Sequence, residues 1–190
     1  MRPLWTLEEM GLAYELESLP FPPRYLAREY LEVNPLGTVP CFVDGDVNMT
    51  ESAGICQYLV EKYGPTDLGL SADHPEYSRY LNWLHRSDAT LTFPQTLVLR
   101  YTQLEPEEKR NPQVASDYRK WFVGRMRSVE SALADREYLV ANRFTIADIC
   151  IAYALVLADS LEIEEAFTSN VQEYWQRMKE RPAFQRAYDL

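Results

Sequence analysis

Two short stretches hold the residues best suited to chemistry. The first is Asn34-Pro35-Leu36-Gly37-Thr38-Val39-Pro40. Pro35 and Gly37 set a tight turn that delivers the chain into a strand beginning near Pro40. Proline at a strand start admits a cis Val39–Pro40 bond, which would turn the Val39 N–H and C=O off the ladder. Those groups could then pair with an extended peptide as a short added strand; an ordinary strand-entry proline has the same sequence. The second stretch is Thr50-Glu51-Ser52-Ala53-Gly54, where a strand gives way to a helix. Ser52 is expected as the helix N-cap, beside free N–H groups that can receive a carboxylate. Glu51 can pair with an ammonium. Together they suit an α-amino-acid head group, and simple helix capping is the alternative.

A third stretch, Phe144-Thr145-Ile146-Ala147-Asp148-Ile149, reads as structural. Thr145 at the N-cap and Asp148 at N3 make an acidic capping box, with Phe144 and Ile149 as its hydrophobic staple. Loss of such a cap costs about 1 kcal/mol.

The elements that must position these residues divide near Gly64-Pro65. Before it, Leu4–Gly11 reads as an amphipathic helix stopped by glycine and 13–19 alternates as a strand. Residues 21–35 then read as a proline-rich entry with a helical turn. Asp44-Gly45 marks a hairpin between 38–43 and 47–49, and a helix follows from Ser52 to Gly64. One further parallel strand ahead of the first helix would complete a βαβ-α-ββα unit. Beyond the break the pattern is helical: a long helix over 75–104 that Pro94 must bend or break, one over 113–135, the apolar 145–161, and 169–184. Trp121, Met126, Val129 and Leu133 mark the expected apolar side of the second of these. The expected division is 1–64, a linker at 65–72, and a helical unit at 73–190.

Composition narrows the classes. With 29 acidic against 19 basic residues and a net charge of -10, the chain lacks the Lys/Arg clusters that bind a phosphate backbone, so nucleic acid is set aside. The longest apolar stretch, 144–161, is broken by Asp148 and Asp159 and is too short to cross a bilayer comfortably. Acidic residues stand where a signal peptide would be apolar. Three scattered cysteines (Cys41, Cys56, Cys150) and two histidines point to neither a disulfide framework nor a metal site. A cytoplasmic protein with no metal and no membrane or nucleic-acid partner is the expectation.

Taken together, "LEEMGLAYE", "NPLGTVP", "TES" and "FTIADICIAYAL", in that order, resemble the cytosolic glutathione transferase family over nearly the whole chain from Leu4 onward. The resemblance implies an α/β thioredoxin-like N-terminal domain, incomplete at its start, followed by an all-α helical bundle domain, in a homodimer. It implies glutathione as co-substrate, with Val39 and cis Pro40 against the cysteinyl backbone and Glu51 and Ser52 on the γ-glutamyl group. An apolar electrophile is expected against Trp83, Phe93, Leu97 and Tyr101. Tyr101, Arg100, His85 and Asp88 face the expected cleft, and Arg24 or Arg28 could meet the glycine carboxylate. A glutathione-dependent isomerase, dehalogenase or ether-cleaving enzyme would use the same scaffold, and a non-catalytic binding or interaction module is the alternative of a different class.

In that family a strand before the first helix ends in the Ser, Cys or Tyr that hydrogen-bonds the glutathione sulfur. No residue here matches it, so the resemblance leaves the catalytic residue unassigned and places it upstream of Met1. A free thiol titrates near about 8.5, and ionising it at neutral pH takes about 2–3 kcal/mol of stabilisation. Either the sequence is part of an ordinary transferase, or it is a shortened member whose gap a rearrangement or a partner chain fills.

Overall fold

A computed structural model describes residues 1–190. Helix α1 (Arg2–Met10) carries Pro3 in its first turn, where the missing N–H would have had no helical acceptor. It stops at Gly11, whose φ of 63° lets the Gly11 and Leu12 N–H groups reach back to the carbonyls of Glu8 and Leu7 at 3.3 and 3.0 Å. The helix faces two ways. Trp5 is fully buried with its ring against Phe144 and Phe184, whereas Leu7 joins Ile55 and Leu59 in a separate small cluster. Arg181 grips Glu9 through two bonds of 2.6 and 2.8 Å, and Arg186 meets Glu8 at 2.6 Å.

Residues 13–19 form no strand, contrary to the alternation of their sequence. Leu12 and Tyr14 pack onto the Leu7–Ile55–Leu59 cluster, but Leu16 is exposed, so the alternation sorts faces only at the start of the segment. A ladder needs a neighbour, and the only two strands, β1 (Phe42–Asp44) and β2 (Val47–Met49), pair with each other. They form the expected hairpin, antiparallel with Phe42 opposite Met49, Val43 opposite Asn48 and Asp44 opposite Val47. Gly45, at φ 59°, supplies the tight turn. Between these segments lie the short helix α2 (Pro23–Leu26) and a 3-10 turn (Arg28–Glu32); α3 (Ser52–Lys62) follows the hairpin.

The helical part begins with α4 (Tyr77–Arg86). Pro94 does not break it. A wide π-helical turn (Ser87–Thr92) leads directly into α5 (Phe93–Leu99), and a second follows at Arg100–Leu104. A π turn shifts each acceptor by one residue, which makes room for a ring that lacks an N–H. Then come α6 (Pro112–Ala132), α7 (Ile146–Ser160), α8 (Ser169–Lys179) and α9 (Pro182–Tyr188), the last two separated at Glu180-Arg181, just before Pro182. On α6 the buried side is Phe122, Met126 and Val129, while Trp121 is 41% exposed and stacks on Tyr118. Met126, Val129 and Leu133 are buried as expected, and only Trp121 gives way, to its neighbour Phe122, about 100° round the helix.

Helix α7 is the centre of the core. Ile146, Ile149, Ile151 and Leu155 are all fully buried, each such side chain contributing about 1.5–3 kcal/mol. Its start is the expected capping box: Thr145 N–H donates to the Asp148 carboxylate at 2.8 Å and Ala147 N–H to the Thr145 hydroxyl at 3.2 Å. The Asp148 carboxylate also accepts from Leu139 N–H at 3.0 Å and from the Tyr174 hydroxyl at 3.2 Å. No helix is long and apolar enough to cross a membrane.

Candidate functional site

The loop before Val39 is braced from within. Asn34, almost fully buried, donates to the Thr38 carbonyl at 2.8 Å and accepts from Leu36 N–H at 3.1 Å, while the Tyr30 hydroxyl donates to the same Thr38 carbonyl at 2.6 Å. Gly37 is required here: its φ is +60° and a Cβ would lie 2.7 Å from the Arg24 Cβ. This bracing presents Val39 outward, 48% exposed, with its N–H and C=O bonded to nothing in the chain. The Val39–Pro40 bond is cis, and Pro40 is half-buried behind it.

The N-terminus of α3 lies beyond the hairpin. Glu51, not Ser52, occupies the cap position, and its side chain makes no capping bond. Ser52 is the first helical residue, because β2 ends earlier and Glu51 is already extended at φ -86°, ψ 110°. The N–H groups of Ser52, Ala53 and Gly54 consequently have no acceptor in the chain. Glu51 is exposed and its carboxylate is unpaired.

The Ser52 hydroxyl accepts a 2.8 Å bond from Arg2, a residue that sequence reasoning passed over. Arg2 is 3% exposed. Its guanidinium also contacts the Asp88 carboxylate, the Thr92 hydroxyl at 2.8 Å, and the carbonyls of Ser87 and Cys150 at 3.4 and 3.2 Å, and it lies 4.5 Å over the Tyr153 ring. Ser87, Asp88 and Thr92 belong to the π turn, so the accommodation of Pro94 also builds the seat for Arg2. An arginine at the second position reads as solvated, and only the π turn together with α7 buries it.

Between α3 and that turn opens a cleft of about 550 Å³ lined by Glu51, Asp88, Ala89, Thr92 and Phe93, within the range of small-molecule sites. Phe93 is 51% exposed at its rim. Leu97 and Tyr101 follow one and two turns on and are half-buried. Trp83 is not brought to the cleft: it lies in the core with the Arg86 guanidinium 4.7 Å from its ring. A second hollow, of about 380 Å³ between α7 and α8, shares no residue with this cleft.

A profile described as "Glutathione S-transferase, N-terminal domain" matches residues 1–67, and "Glutathione S-transferase, C-terminal domain" matches 101–182. Glutathione S-transferase GstA of Escherichia coli is 30% identical over 194 residues, covering 96% of this chain and 89% of its own. The chain belongs to the glutathione S-transferase family. Glutathione S-transferase 3 of Schizosaccharomyces pombe is 26% identical over 195 residues, covering 96% of this chain and 79% of its own. Among solved structures, Ure2p5 from Phanerochaete chrysosporium, cocrystallized with 1-(S-glutathionyl)-2,4-dinitrobenzene, superposes with a TM-score of 0.85 at 25% identity, over 99% of this chain and 87% of its own. The N-terminal part is thus a thioredoxin-like domain with a small sheet, followed by a helical domain.

The remaining candidates separate clearly. Arg24 is exposed and donates to the Leu36 carbonyl at 3.0 Å, and Arg28 is exposed without a hydrogen-bond partner. Arg100 pairs with Glu105 at 2.7 Å, and His85 is exposed. Cys56 and Cys150 are fully buried, and the neighbouring Cys56 together with burial pushes the Cys150 thiol up; neither side chain is exposed to solvent. Cys41 is half-buried, with its sulfur 3.2 Å from the Asn48 side-chain oxygen. No group of three or more His, Cys, Asp or Glu side chains converges to hold a metal ion.

Proposed function

We propose that the chain binds glutathione along Val39 and the α3 N-terminus and conjugates its sulfur to a small apolar electrophile. The observation that carries the reading is the set of unspent polar groups. Three free N–H groups and the Ser52 hydroxyl suit the α-carboxylate of the γ-glutamyl group. The unpaired Glu51 suits its ammonium, and the free N–H and C=O of Val39 suit the cysteinyl backbone as one added strand residue. The electrophile would lie along Phe93, Leu97 and Tyr101, where an apolar surface holds it near the sulfur. The conjugate bound by Ure2p5 has this chemistry, a thioether between glutathione and an aromatic ring. A cytoplasmic homodimer is part of the proposal.

The test is to mix the chain with glutathione and 1-chloro-2,4-dinitrobenzene. The expected result is product formation that saturates with glutathione and exceeds the spontaneous rate. Tight glutathione binding with only the spontaneous rate would instead assign a binding module. Failure to bind glutathione would reject the site.

A further inference from the structure

We propose that Arg2 is a positioning residue: it commits the Ser52 hydroxyl to donating a hydrogen bond, and so selects a carboxylate over a neutral head group at the α3 N-terminus. This rests on the glutathione reading and names what sets its specificity.

A guanidinium has five N–H donors and no acceptor. Arg2 uses all three nitrogens: Nε on the Cys150 carbonyl, Nη1 on Ser52 Oγ and the Asp88 carboxylate, and Nη2 on Thr92 Oγ1 and the Ser87 carbonyl. Stacked over Tyr153 and buried, it has no alternative placement. Whatever approaches Ser52 therefore finds an oxygen already receiving a proton at 2.8 Å. The hydroxyl's own proton goes to no group in the chain and is left for a ligand.

A free serine hydroxyl can rotate to accept as readily as it donates, and would receive an amide as well as a carboxylate. Held by Arg2 on one of its two lone pairs, Ser52 cannot turn its proton inward, so it adds a fourth donor to the N–H groups of Ser52, Ala53 and Gly54 and leaves a single lone pair for a ligand that must donate there. Asp88 balances the guanidinium charge, so Arg2 acts through direction more than through net field. Four of the five contacts come from the π turn and α7, so the helical domain sets the donor state of a group in the thioredoxin-like domain.

The test compares glutathione with its analogue in which the γ-glutamyl α-carboxylate is a carboxamide, by calorimetric titration. Wild type should prefer glutathione about tenfold or more, the worth of a hydrogen bond to a charged group. Arg2→Lys keeps the charge but replaces the fork by one nitrogen, and should remove most of that preference. Ser52→Ala should remove it too, and adding it to Arg2→Lys should cost little more. A merely structural role for Arg2 would weaken both ligands alike. Where Arg2→Lys melts below the assay temperature, Thr92→Val removes one anchor of Nη2 and should lower the same ratio. An unchanged ratio in the folded variant, or losses from Arg2→Lys and Ser52→Ala that multiply, would overturn the proposal while leaving glutathione binding intact. Wild type that binds neither ligand would overturn the glutathione reading with it.

Discussion

Replacing Asp148 by alanine removes the acceptor for two buried N–H groups, those of Leu139 and Thr145, while the Tyr174 hydroxyl keeps the Asp148 carbonyl 3.3 Å away. Two orphaned buried donors at about 2 kcal/mol each cost about 4 kcal/mol. Against that stands the charge. Burial pushes the Asp148 carboxyl from 3.8 up to about 6, despite the donors around it that act to lower it. The stability this group confers is therefore fully present below its unfolded value near 3.8 and is lost as pH rises through about 6. At 1.36 kcal/mol per unit that loss is about 3 kcal/mol. Alanine has no proton to exchange, so its cost should be about 4 kcal/mol near pH 4 and only about 1 kcal/mol at pH 7. Urea unfolding of both proteins across pH 4–7 measures the difference directly, and glutathione affinity at a temperature where both are folded should be unchanged. A cost that grows with pH would refute the reasoning, because it would mean that the folded protein favours the ionised carboxylate.

Two smaller tests concern packing and backbone. Phe122→Ala empties a fully buried ring site and should cost about 3–5 kcal/mol. Trp121→Ala next to it, half in solvent, should cost under about 1 kcal/mol; equal losses in thermal melting would contradict the assigned helix face. Gly11→Ala meets nothing within 4 Å but must hold a φ of +63°, so it should lose about 1 kcal/mol from left-handed strain alone. An unchanged denaturation midpoint would show that the chain leaves α1 by another route.

The features legible in the sequence are those whose cause is local. Gly11 ends α1, Asp44-Gly45 turns the hairpin, and Thr145 with Asp148 starts α7, because each depends on residues within a turn of one another. Residues 13–19 misled because alternation is local but pairing is not, and β1 and β2 satisfy only each other. On α6 two adjacent aromatics compete for one buried stripe, and the hydropathy pattern does not choose between them; packing selects Phe122. Trp83 carries the right chemistry for a pocket, but its face of α4 turns into the core. Val39, Glu51 and Ser52 suggest the proposed site from sequence alone, whereas Arg2 is hidden: its burial requires a π turn that precedes Pro94, distant in sequence.

In the proposed site, the free donors at the start of α3 and the free backbone of Val39 bind one glutathione molecule. Calorimetric titration of glutathione into wild type, Glu51→Gln and Ser52→Ala tests it most directly. Saturable one-site binding by wild type and a loss of about tenfold or more in each variant are expected, at a temperature where all three are folded; Glu51→Gln should melt as wild type does, whereas Ser52→Ala also loses the acceptor of Arg2 and should melt lower. Binding that survives both substitutions at full strength would contradict it.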